Sequence, residues 1–321
     1  MSIEQITRTA RRVATEHYGF SNAVELDLLG YRENAVYSAR EPDAGTRIAL
    51  RLHQQDFHSA QEIASELVWM DRLRLNGVDT PRVVRARDGQ LVCETVDEQG
   101  RAQCVSALAW VEGAPPSDDR MIEAYEKVGA IAARIHADGR EWVTPPGFSR
   151  WTIDERTAFG EVGLWGDYGR VSKLDDDQKD LFDQAGGMIR SRLLEFGKAP
   201  DRFGLIHGDL MTENIMVEGS HSRVIDFDDC GYGWHLYDLA TALFIHAGGD
   251  LYEPLRDSWI EGYHRVSAIP DEHLDMVDTL VLARILGLVG WQARFPNHPV
   301  TLELGDWVIA HAESFSRAYL P

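Results

Sequence analysis

An acid, an amide and a second acid stand at fixed spacing in one part of the sequence. The stretch "IHGDLMTENIMV" places Asp209 two residues after His207, and Asn214 five residues after Asp209. The stretch "RVIDFDDCGYG" places Asp226 twelve residues after Asn214, and Asp228 two residues later. Both segments run from apolar residues into acidic ones, so two short strands or loops can deliver these side chains to one cleft.

Two carboxylates and an amide that face one cavity form a divalent-metal site. Mg²⁺ prefers oxygen ligands and is held by one or two carboxylates together with substrate phosphates. An Asp that does not bind the metal can orient a hydroxyl nucleophile and accept its proton. The spacing therefore predicts phosphoryl transfer from ATP with Mg²⁺, whereas an acidic cluster without this spacing is most often solvated surface.

Composition limits the partners of this chain. The 321 residues are 44% apolar, which favours a globular protein of one large domain or two lobes. There are 52 acidic and 32 basic residues, and a net charge of −20 opposes binding to nucleic acid or to an anionic membrane. The three cysteines are few and odd in number, which favours neither a disulfide framework nor a zinc site and suits a reducing cytosol.

No segment is typical of a membrane span or a signal peptide. The first twenty residues read as an amphipathic helix capped by Ser2. The most apolar later stretch, "TLVLARILGLVG", is interrupted by Arg284 and is too short to cross a bilayer. We therefore expect a cytoplasmic protein without a membrane partner.

Periodicity separates a β-rich part from a helical part. Residues from about 24 to 111 offer alternating, β-branched runs broken by turn residues, with one helix that begins after Ser59 and stops at Gly77. From Asp118 onward the spacing is mostly helical, with long runs near 176–196, 235–246 and 271–290 and a β island at 203–227. The pattern predicts a β lobe, a hinge near 108–116 and a larger helical lobe.

The motifs carry a family resemblance. "HGDLxxxNIM" and "IDFDDCGYG…DLA" resemble the aminoglycoside phosphotransferase and choline kinase-like branch of the protein-kinase-like fold, and within it the stress response kinase A and type II homoserine kinase-like group. The resemblance extends over nearly the whole chain. It implies an α+β, bilobal fold with an N-terminal antiparallel β lobe for nucleotide binding over residues 1–108. A mainly helical C-terminal lobe for catalysis and acceptor binding then covers residues 109–321.

The resemblance also implies roles for the residues of the two motifs. Asp209 is expected to be the catalytic base. The implied metal ligands are Asn214 and Asp226, the chief ligand, and Asp228 is expected to approach the metal as well. His207 and Asp238 are expected to hold the catalytic loop rather than to react.

The nucleotide contacts implied for the β lobe depart from the usual kinase pattern. The hairpin segment "LLGYRENAVYSA" lacks the repeated glycines of a kinase loop, so Asn34 and nearby backbone amides are the expected phosphate donors. Arg51 stands where a lysine usually contacts the phosphates, and the two side chains are not interchangeable. Glu66 is the expected partner of Arg51, with Glu62 one turn earlier as the competitor.

The hinge and the acceptor pocket are less sharply defined. Adenine is expected against the backbone near Ala109 and Val111, where Trp110 either lines the pocket or fills core. Aromatic residues of the helical lobe are candidates for the acceptor pocket, although core packing is their commoner use. These candidates are Trp151, Trp165, Tyr168, Tyr232 and Trp234.

The sequence thus predicts an ATP- and Mg²⁺-dependent phosphotransferase that phosphorylates a hydroxyl group of a small molecule, such as an amino alcohol or an aminoglycoside-like acceptor. A Ser/Thr protein kinase of the stress response type is one alternative. A nucleotide-binding pseudokinase that acts as an interaction module is the other. The retention of Asp209, Asn214 and Asp226 together argues against a pseudokinase.

Overall fold

The computed structural model describes residues 2–31, 33–219 and 221–321. Arg32, which belongs to the hairpin expected to cover the phosphates, lies outside the described residues. The chain forms two compact units. The first contains residues up to Ala114, Val143–Arg150 and Met216–Asp228, and the second contains Pro115–Trp142, Trp151–Ile215 and Asp229–Pro321. The predicted division into residues 1–108 and 109–321 stays a prediction. That division assigns Val143–Arg150 and Met216–Asp228 to the C-terminal part, whereas both segments lie in the first compact unit.

An antiparallel sheet dominates the first unit. Its strands are β1 Glu25–Tyr31, β2 Ala35–Arg40, β3 Arg47–Leu52, β4 Val83–Val84, β5 Cys93–Val96 and β6 Ala102–Ala109. The strand order is β1-β2-β3-β6-β4, and β5 also pairs with β6. This register places Arg51 on β3 between Val36 of β2 and Ser106 of β6, in the middle of the sheet.

Two capped helices accompany this sheet. Helix α1 covers Ile3–Tyr18 and α2 covers Ala60–Leu75, and each begins with a capping box, from Ser2 and from Ser59. Both predicted caps are therefore confirmed. The apolar face of α1 packs with the inward side chains of the strands in one core, which includes Val13, Tyr37 and Leu50.

Helices dominate the second unit. They are α3 Met121–Glu141, α4 Asp176–Phe196, α5 His235–Leu243, α6 Tyr252–His264, α7 Asp271–Leu274, α8 Val277–Arg294 and α9 Pro299–Tyr319. In this unit β7 Phe203–Ile206 and β10 Gly231–Trp234 pair antiparallel. The pair of β8 Ile215–Glu218 and β9 His221–Val224 belongs to the first unit, apart from Ile215. The helices predicted near 176–196 and 235–246 are present, whereas the one predicted at 271–290 is divided into α7 and α8. Within the described residues, no helix has the length and apolar character needed to cross a membrane.

Candidate active site

Helix α5 holds the loop that follows β7, residues 207–214. The buried carboxylate of Asp238 accepts the backbone N–H of His207 at 3.1 Å through Oδ2 and that of Gly208 at 2.8 Å through Oδ1. One turn later on α5, Thr241 Oγ1 accepts the N–H of Leu210 at 3.0 Å. Helix α5 therefore fixes the path of this loop, which supports the predicted role of Asp238.

The carboxyl group of Asp238 lies in a dry environment. Its side chain is fully buried, and Oδ2 is 2.9 Å from Nε2 of His136. Burial raises the pKa of Asp238, although the neighbouring His207 and the amide hydrogen bonds oppose this shift. His207 is buried as well, and its Nδ1 accepts the backbone N–H of Asp209 at 3.3 Å. Both predicted supporting residues thus contact the loop backbone.

The side chain of Asp209 is held at both oxygens. Oδ1 lies 2.6 Å from Nη2 of Arg284, and Oδ2 accepts a hydrogen bond of 3.1 Å from Nδ2 of Asn214. The same Nδ2 donates to the backbone carbonyl of Asp209 at 2.8 Å. The carboxylate remains 23% exposed. This arrangement gives an oriented carboxylate that a hydroxyl group can still reach.

Arg284 is the main residue of this site that the sequence did not predict. It lies on α8, is 6% exposed, and its Nη1 is also 4.0 Å from Oδ2 of Asp229. Burial opposes its charge, but Asp209 and its other neighbours outweigh this effect and raise the pKa of Arg284. A lone cation in the apolar run of α8 was the available signal, because Arg is rarely buried without a partner.

The predicted pair of Arg51 and Glu66 is formed in the first unit. Nη2 of Arg51 donates to Oε1 of Glu66, and both side chains are buried. Burial raises the pKa of Glu66, although the Arg51 charge opposes this shift. Glu62 is engaged elsewhere, in the capping box with Ser59. The competition between Glu66 and Glu62 is thereby resolved in favour of Glu66.

Arg51 also meets the second acidic motif. Nη1 lies 3.6 Å from Oδ1 of Asp226 and 3.7 Å from Oδ1 of Asp228. The side chain of Asp226 is 54% exposed and that of Asp228 is 13% exposed. Burial opposes ionisation of Asp228, but Arg51 and the other nearby groups outweigh it and lower its pKa to about 2. The carboxylates of Asp226 and Asp228 therefore both lie beside one guanidinium.

These donors fit a divalent cation that is also bound to phosphates. Among the described residues, no cluster of three or more His, Cys, Asp or Glu can hold a metal by itself. Mg²⁺ does not need such a cluster, since one or two carboxylates and substrate phosphates suffice. Oδ1 of Asp228 is buried and accepts no hydrogen bond from the described residues. Asp226 and Asp228 thus fit the predicted metal role within the first unit, and Asn214 lies in the second unit.

The side chain of Asn34 is used at both ends. Its Nδ2 donates to Oδ2 of Asp228 at 3.0 Å, and its Oδ1 accepts the backbone N–H of Gln54 at 2.9 Å. Asn34 therefore links the start of β2 to the residue after β3 and to the acidic motif. The predicted contact of Asn34 with a phosphate remains a prediction. Because these two bonds use both ends of the side chain, such a contact would involve the backbone N–H.

The two hinge residues differ in their hydrogen bonds. The N–H of Ala109 donates to the carbonyl of Arg82 at 2.8 Å, within the sheet. Among the described residues, Val111 forms no backbone hydrogen bond. The ring of Trp110 lies 3.5 Å below the guanidinium of Arg47. The adenine contacts of both residues stay predictions.

The predicted acceptor aromatics fall into two groups. Trp165 lies 5.3 Å from the guanidinium of Arg284 and 5.9 Å from the ring of Trp151. The indole Nε1–H of Trp151 donates to the carbonyl of Asp229 at 2.9 Å. These two rings therefore belong to the surroundings of Asp209 through Arg284 and Asp229.

Two of the other three aromatic candidates serve the fold. Tyr168 is buried and donates to Asp183, and Trp234 is buried and donates to the carbonyl of Gly197. Tyr232 is half-buried on β10. The structure therefore supports core packing as the role of Tyr168 and Trp234.

Two further residues near the acidic motif were not predicted. Arg150 is buried and donates to the backbone carbonyls of Glu62 and Asp228, so it joins α2 to this motif. His53 lies 3.8 Å from Asp228, and burial holds its pKa well below the usual range, with Arg51 adding to the effect. Neither residue stands in a motif, so their positions follow only from long-range packing.

Comparison with known proteins agrees with this geometry. The model of the phosphotransferase enzyme family matches residues 28–273. The solved structure of the microcompartment-associated aminopropanol kinase superposes with a TM-score of 0.86 and 31% identity, over 98% of this chain and 96% of that chain. A complex of amicoumacin kinase with AMP-PNP, Ca²⁺ and Ami superposes with a TM-score of 0.82 at 18% identity, over 99% and 96% of the two chains.

A curated relative adds a sequence match. The amicoumacin kinase of Bacillus subtilis (strain 168) is 23% identical over 234 residues, which are 72% of this chain and 66% of that protein, slightly under two thirds of its length. The predicted family and the predicted protein-kinase-like α+β fold are both confirmed. This chain belongs to the phosphotransferase enzyme family.

Proposed function

We propose that this protein transfers the γ-phosphoryl group of ATP to the hydroxyl group of a small amino alcohol, with Mg²⁺ as the metal. The observation that carries the proposal is the carboxylate of Asp209, which is partly exposed and held at both oxygens by Asn214 and Arg284. The broader class, an ATP-dependent kinase with a small-molecule hydroxyl acceptor, is borne out by the family match and by the kinases that this chain resembles. These relatives do not favour the protein kinase or pseudokinase alternatives.

The chemistry assigned to Asp209 is orientation and proton acceptance. The acceptor oxygen attacks the γ-phosphorus, its proton passes to the Asp209 carboxylate, and the bond from phosphorus to the β,γ-bridging oxygen breaks to release ADP. A positioned carboxylate with remaining lone pairs can receive that proton. Mg²⁺ held by Asp226 and Asp228 would neutralise phosphate charge.

ATP is the proposed donor because of the charged groups around Arg51. Arg51 is permanently charged and its fork can meet phosphate oxygens in a bidentate manner. Glu66 fixes Nη2 of Arg51, and Nη1 lies on the side of Asp226 and Asp228. The complex of amicoumacin kinase with AMP-PNP and Ca²⁺ has the same fold, which supports a nucleotide and a divalent metal here.

An amino alcohol is the proposed acceptor on grounds of charge and similarity. Asp209 and Asp229 share the single guanidinium of Arg284, so these three side chains carry a net negative charge when the carboxylates are ionised. Aromatic faces such as those of Trp151 and Trp165 can attract an ammonium group. The 31% identical structure is named as an aminopropanol kinase, whose acceptor class is the same.

Purified protein should be incubated with ATP, Mg²⁺ and separate acceptors, namely 1-amino-2-propanol, ethanolamine, choline, homoserine and casein. We expect ADP release and a phosphomonoester signal by ³¹P NMR with at least one amino alcohol and none with casein. Phosphorylation of casein alone would overturn the proposal.

Asp209→Asn in the same assay should lower turnover by at least about a hundredfold, the low end for loss of a positioned acid or base. Its affinity for ATP should stay within about twofold. The exposed Asp250→Asn is the matched control and should keep normal turnover. Half of the normal turnover in Asp209→Asn would contradict its assignment as the base.

A further inference from the structure

Arg284 is a buried cation in an apolar helix. The stretch from Leu280 to Leu286 of α8 is buried, and Arg284 is its one charged residue. Removing a guanidinium from water is unfavourable unless opposite charges and hydrogen bonds compensate it. The position of Arg284 is therefore explained by its partners rather than by the helix in which it stands.

Those partners belong to the candidate active site. Arg284 reaches Asp209 at 2.6 Å and Asp229 at 4.0 Å, and it also lies beside the Tyr237 hydroxyl and the ring faces of Trp165 at 5.3 Å and Phe244 at 5.8 Å. Low polarity around these groups strengthens the attraction between the guanidinium and the Asp209 carboxylate. The pair is thus a strong, directional contact at the group assigned as the base.

We propose that Arg284 is a positioning residue for phosphoryl transfer, which keeps the Asp209 carboxylate in one orientation. The proposal rests on the proposed function, since it assigns Asp209 as the base. Arg284 holds Oδ1 while Asn214 holds Oδ2, so rotation of the carboxylate is restrained from both sides. Each oxygen keeps a lone pair, so the acceptor hydroxyl can still donate to Asp209.

The geometry favours Arg over Lys at this position. One terminal nitrogen faces Asp209 and the other faces Asp229, while the planar group lies near two aromatic rings. A lysine ammonium is a point charge and cannot direct two donors in a fixed fork. A lysine should therefore retain the charge beside Asp209 but lose part of the orientation.

The test uses Arg284→Met and Arg284→Lys in the full chain. Met fills apolar space with a flexible, unbranched side chain, so it limits the packing defect while it removes the charge. Arg190→Met is the matched control, because Arg190 also lies over an aromatic ring, 4.7 Å from the ring centroid of Phe159. Thermal unfolding of each variant shows whether the fold is retained.

We expect Arg284→Met to lower kcat for the acceptor by about 10- to 100-fold, because misplacement of a reacting group can cost up to about a hundredfold. Arg284→Lys should fall between Arg284→Met and wild type. The Kd for ATP, measured by calorimetry, should stay within about twofold in both variants. Arg190→Met should leave kcat and Kd unchanged.

A double-mutant cycle with Asp209→Asn separates positioning from general structural damage. If Arg284 acts through Asp209, Arg284→Met should lower kcat much less in the Asp209→Asn background than in wild type. Equal losses in both backgrounds would overturn the proposal. So would a kcat for Arg284→Met within twofold of wild type.

The acceptor reaction and acceptor-independent ATP hydrolysis should both be followed in this series. Failure of wild type to phosphorylate any amino alcohol, with ATP hydrolysis retained, would contradict the proposed function alone. The Arg284 variants would then be compared by hydrolysis, in which Asp209 orients water instead of an alcohol. A loss in Arg284→Met with recovery in Arg284→Lys would still support positioning by Arg284.

Discussion

At the scale of the residue, the backbone of Asp226 is unusual. Its φ of 63° lies in the left-handed region, where among the described non-glycine residues only Asp56 also lies. Such a conformation costs on the order of 1–3 kcal/mol and persists where the surroundings determine it. Asp226 combines this conformation with an exposed carboxylate beside Arg51. A strained backbone and an exposed carboxylate are consistent with the metal role proposed for Asp226.

Asp226→Ala should remove most of the Mg²⁺ dependence of ATP binding, because its carboxylate is proposed to bind the metal that carries the phosphates. Calorimetry with ATP, with and without Mg²⁺, measures this. Asp56→Ala is a matched control, since Asp56 is exposed and has a φ of 60°. The metal role would be contradicted by the same dependence on Mg²⁺ in Asp226→Ala and wild type.

The Arg51–Glu66 pair makes separate predictions for stability and for binding. Arg51→Met leaves the fully buried Glu66 without its partner, and breaking a buried pair in this way costs about 3–5 kcal/mol. It should also raise the KM for ATP, whereas Arg51→Lys should recover only part of that loss. Urea unfolding and steady-state kinetics measure the two effects.

The double variant Arg51→Met with Glu66→Met tells the two effects apart. Replacement of a whole buried ion pair by apolar side chains is often neutral for stability. We therefore expect the double variant to unfold near the wild-type urea concentration while the KM for ATP stays high. Wild-type ATP kinetics in both the single and the double variant would show that Arg51 does not contact the nucleotide.

At the scale of the element, α5 and the 207–214 loop are joined through backbone groups. Gly208 has a φ of 83°, and its N–H donates to Asp238. A Cβ at this position would lie 2.4 Å from the carbonyl oxygen of Asp229, which belongs to the backbone and cannot easily move. Glycine is therefore required here both for its conformation and for its small size.

Gly208→Ala should lower kcat by at least about tenfold, because the displaced loop carries Asp209. Gly248→Ala is the control for backbone strain without a steric clash. Gly248 has a φ of 74°, and nothing lies within 4 Å of the added Cβ. Both variants should lose on the order of 1 kcal/mol or more from the left-handed backbone, and Gly208→Ala should lose more. Chemical unfolding together with kinetics tests the difference, and equal effects would argue against a steric clash.

Sequence reasoning succeeded where the deciding interactions are local. Ser2 and Ser59 each cap a helix through partners three residues away, so the short pattern is sufficient to place the helix start. The catalytic motif likewise has Asn214 and Asp209 only five residues apart. Such spacings are readable because the chain itself enforces the proximity.

Non-local contacts could not be predicted in the same way. Arg284 and Asp209 are 75 residues apart, and Arg150 and Asp228 are 78 residues apart. No Gly or Pro separates α7 from α8, so the break after Leu274 had no signal of the usual kind. The partners of the site are therefore determined by how the elements pack, which a single sequence does not show.

At the scale of the whole molecule, buried histidines make the free energy of unfolding depend on pH. Burial lowers the pKa of His58 to about 4, of His136 to about 3 and of His235 to about 2, and it holds that of His53 well below the usual range. An unperturbed histidine has a pKa near 6.5. All four are therefore neutral in the folded protein at pH values where the unfolded chain already binds protons.

The sign of the pH dependence follows from this difference. The folded pKa values lie below the unfolded value, so the stabilisation is complete well above pH 6.5 and is lost as pH falls from about 6.5 through 4 for His58 and on towards 2 for His235. Each such group changes the free energy of unfolding by at most about 1.4 kcal/mol per pH unit. The histidines therefore make the stability fall as pH falls, whereas the raised pKa values of the buried Glu66 and Asp238 act in the opposite direction.

His235→Phe tests this account with one of the four residues. The ring of His235 is buried and stacks on that of His136 at 4.6 Å, so an aromatic ring that cannot titrate suits the position. We expect urea unfolding between pH 6 and 5 to show a slope smaller by about one proton, or about 1.4 kcal/mol per pH unit. The exposed His264→Gln is the control and should keep the wild-type slope. A wild-type slope in His235→Phe would mean that His235 is protonated in the folded protein and that burial does not keep it neutral.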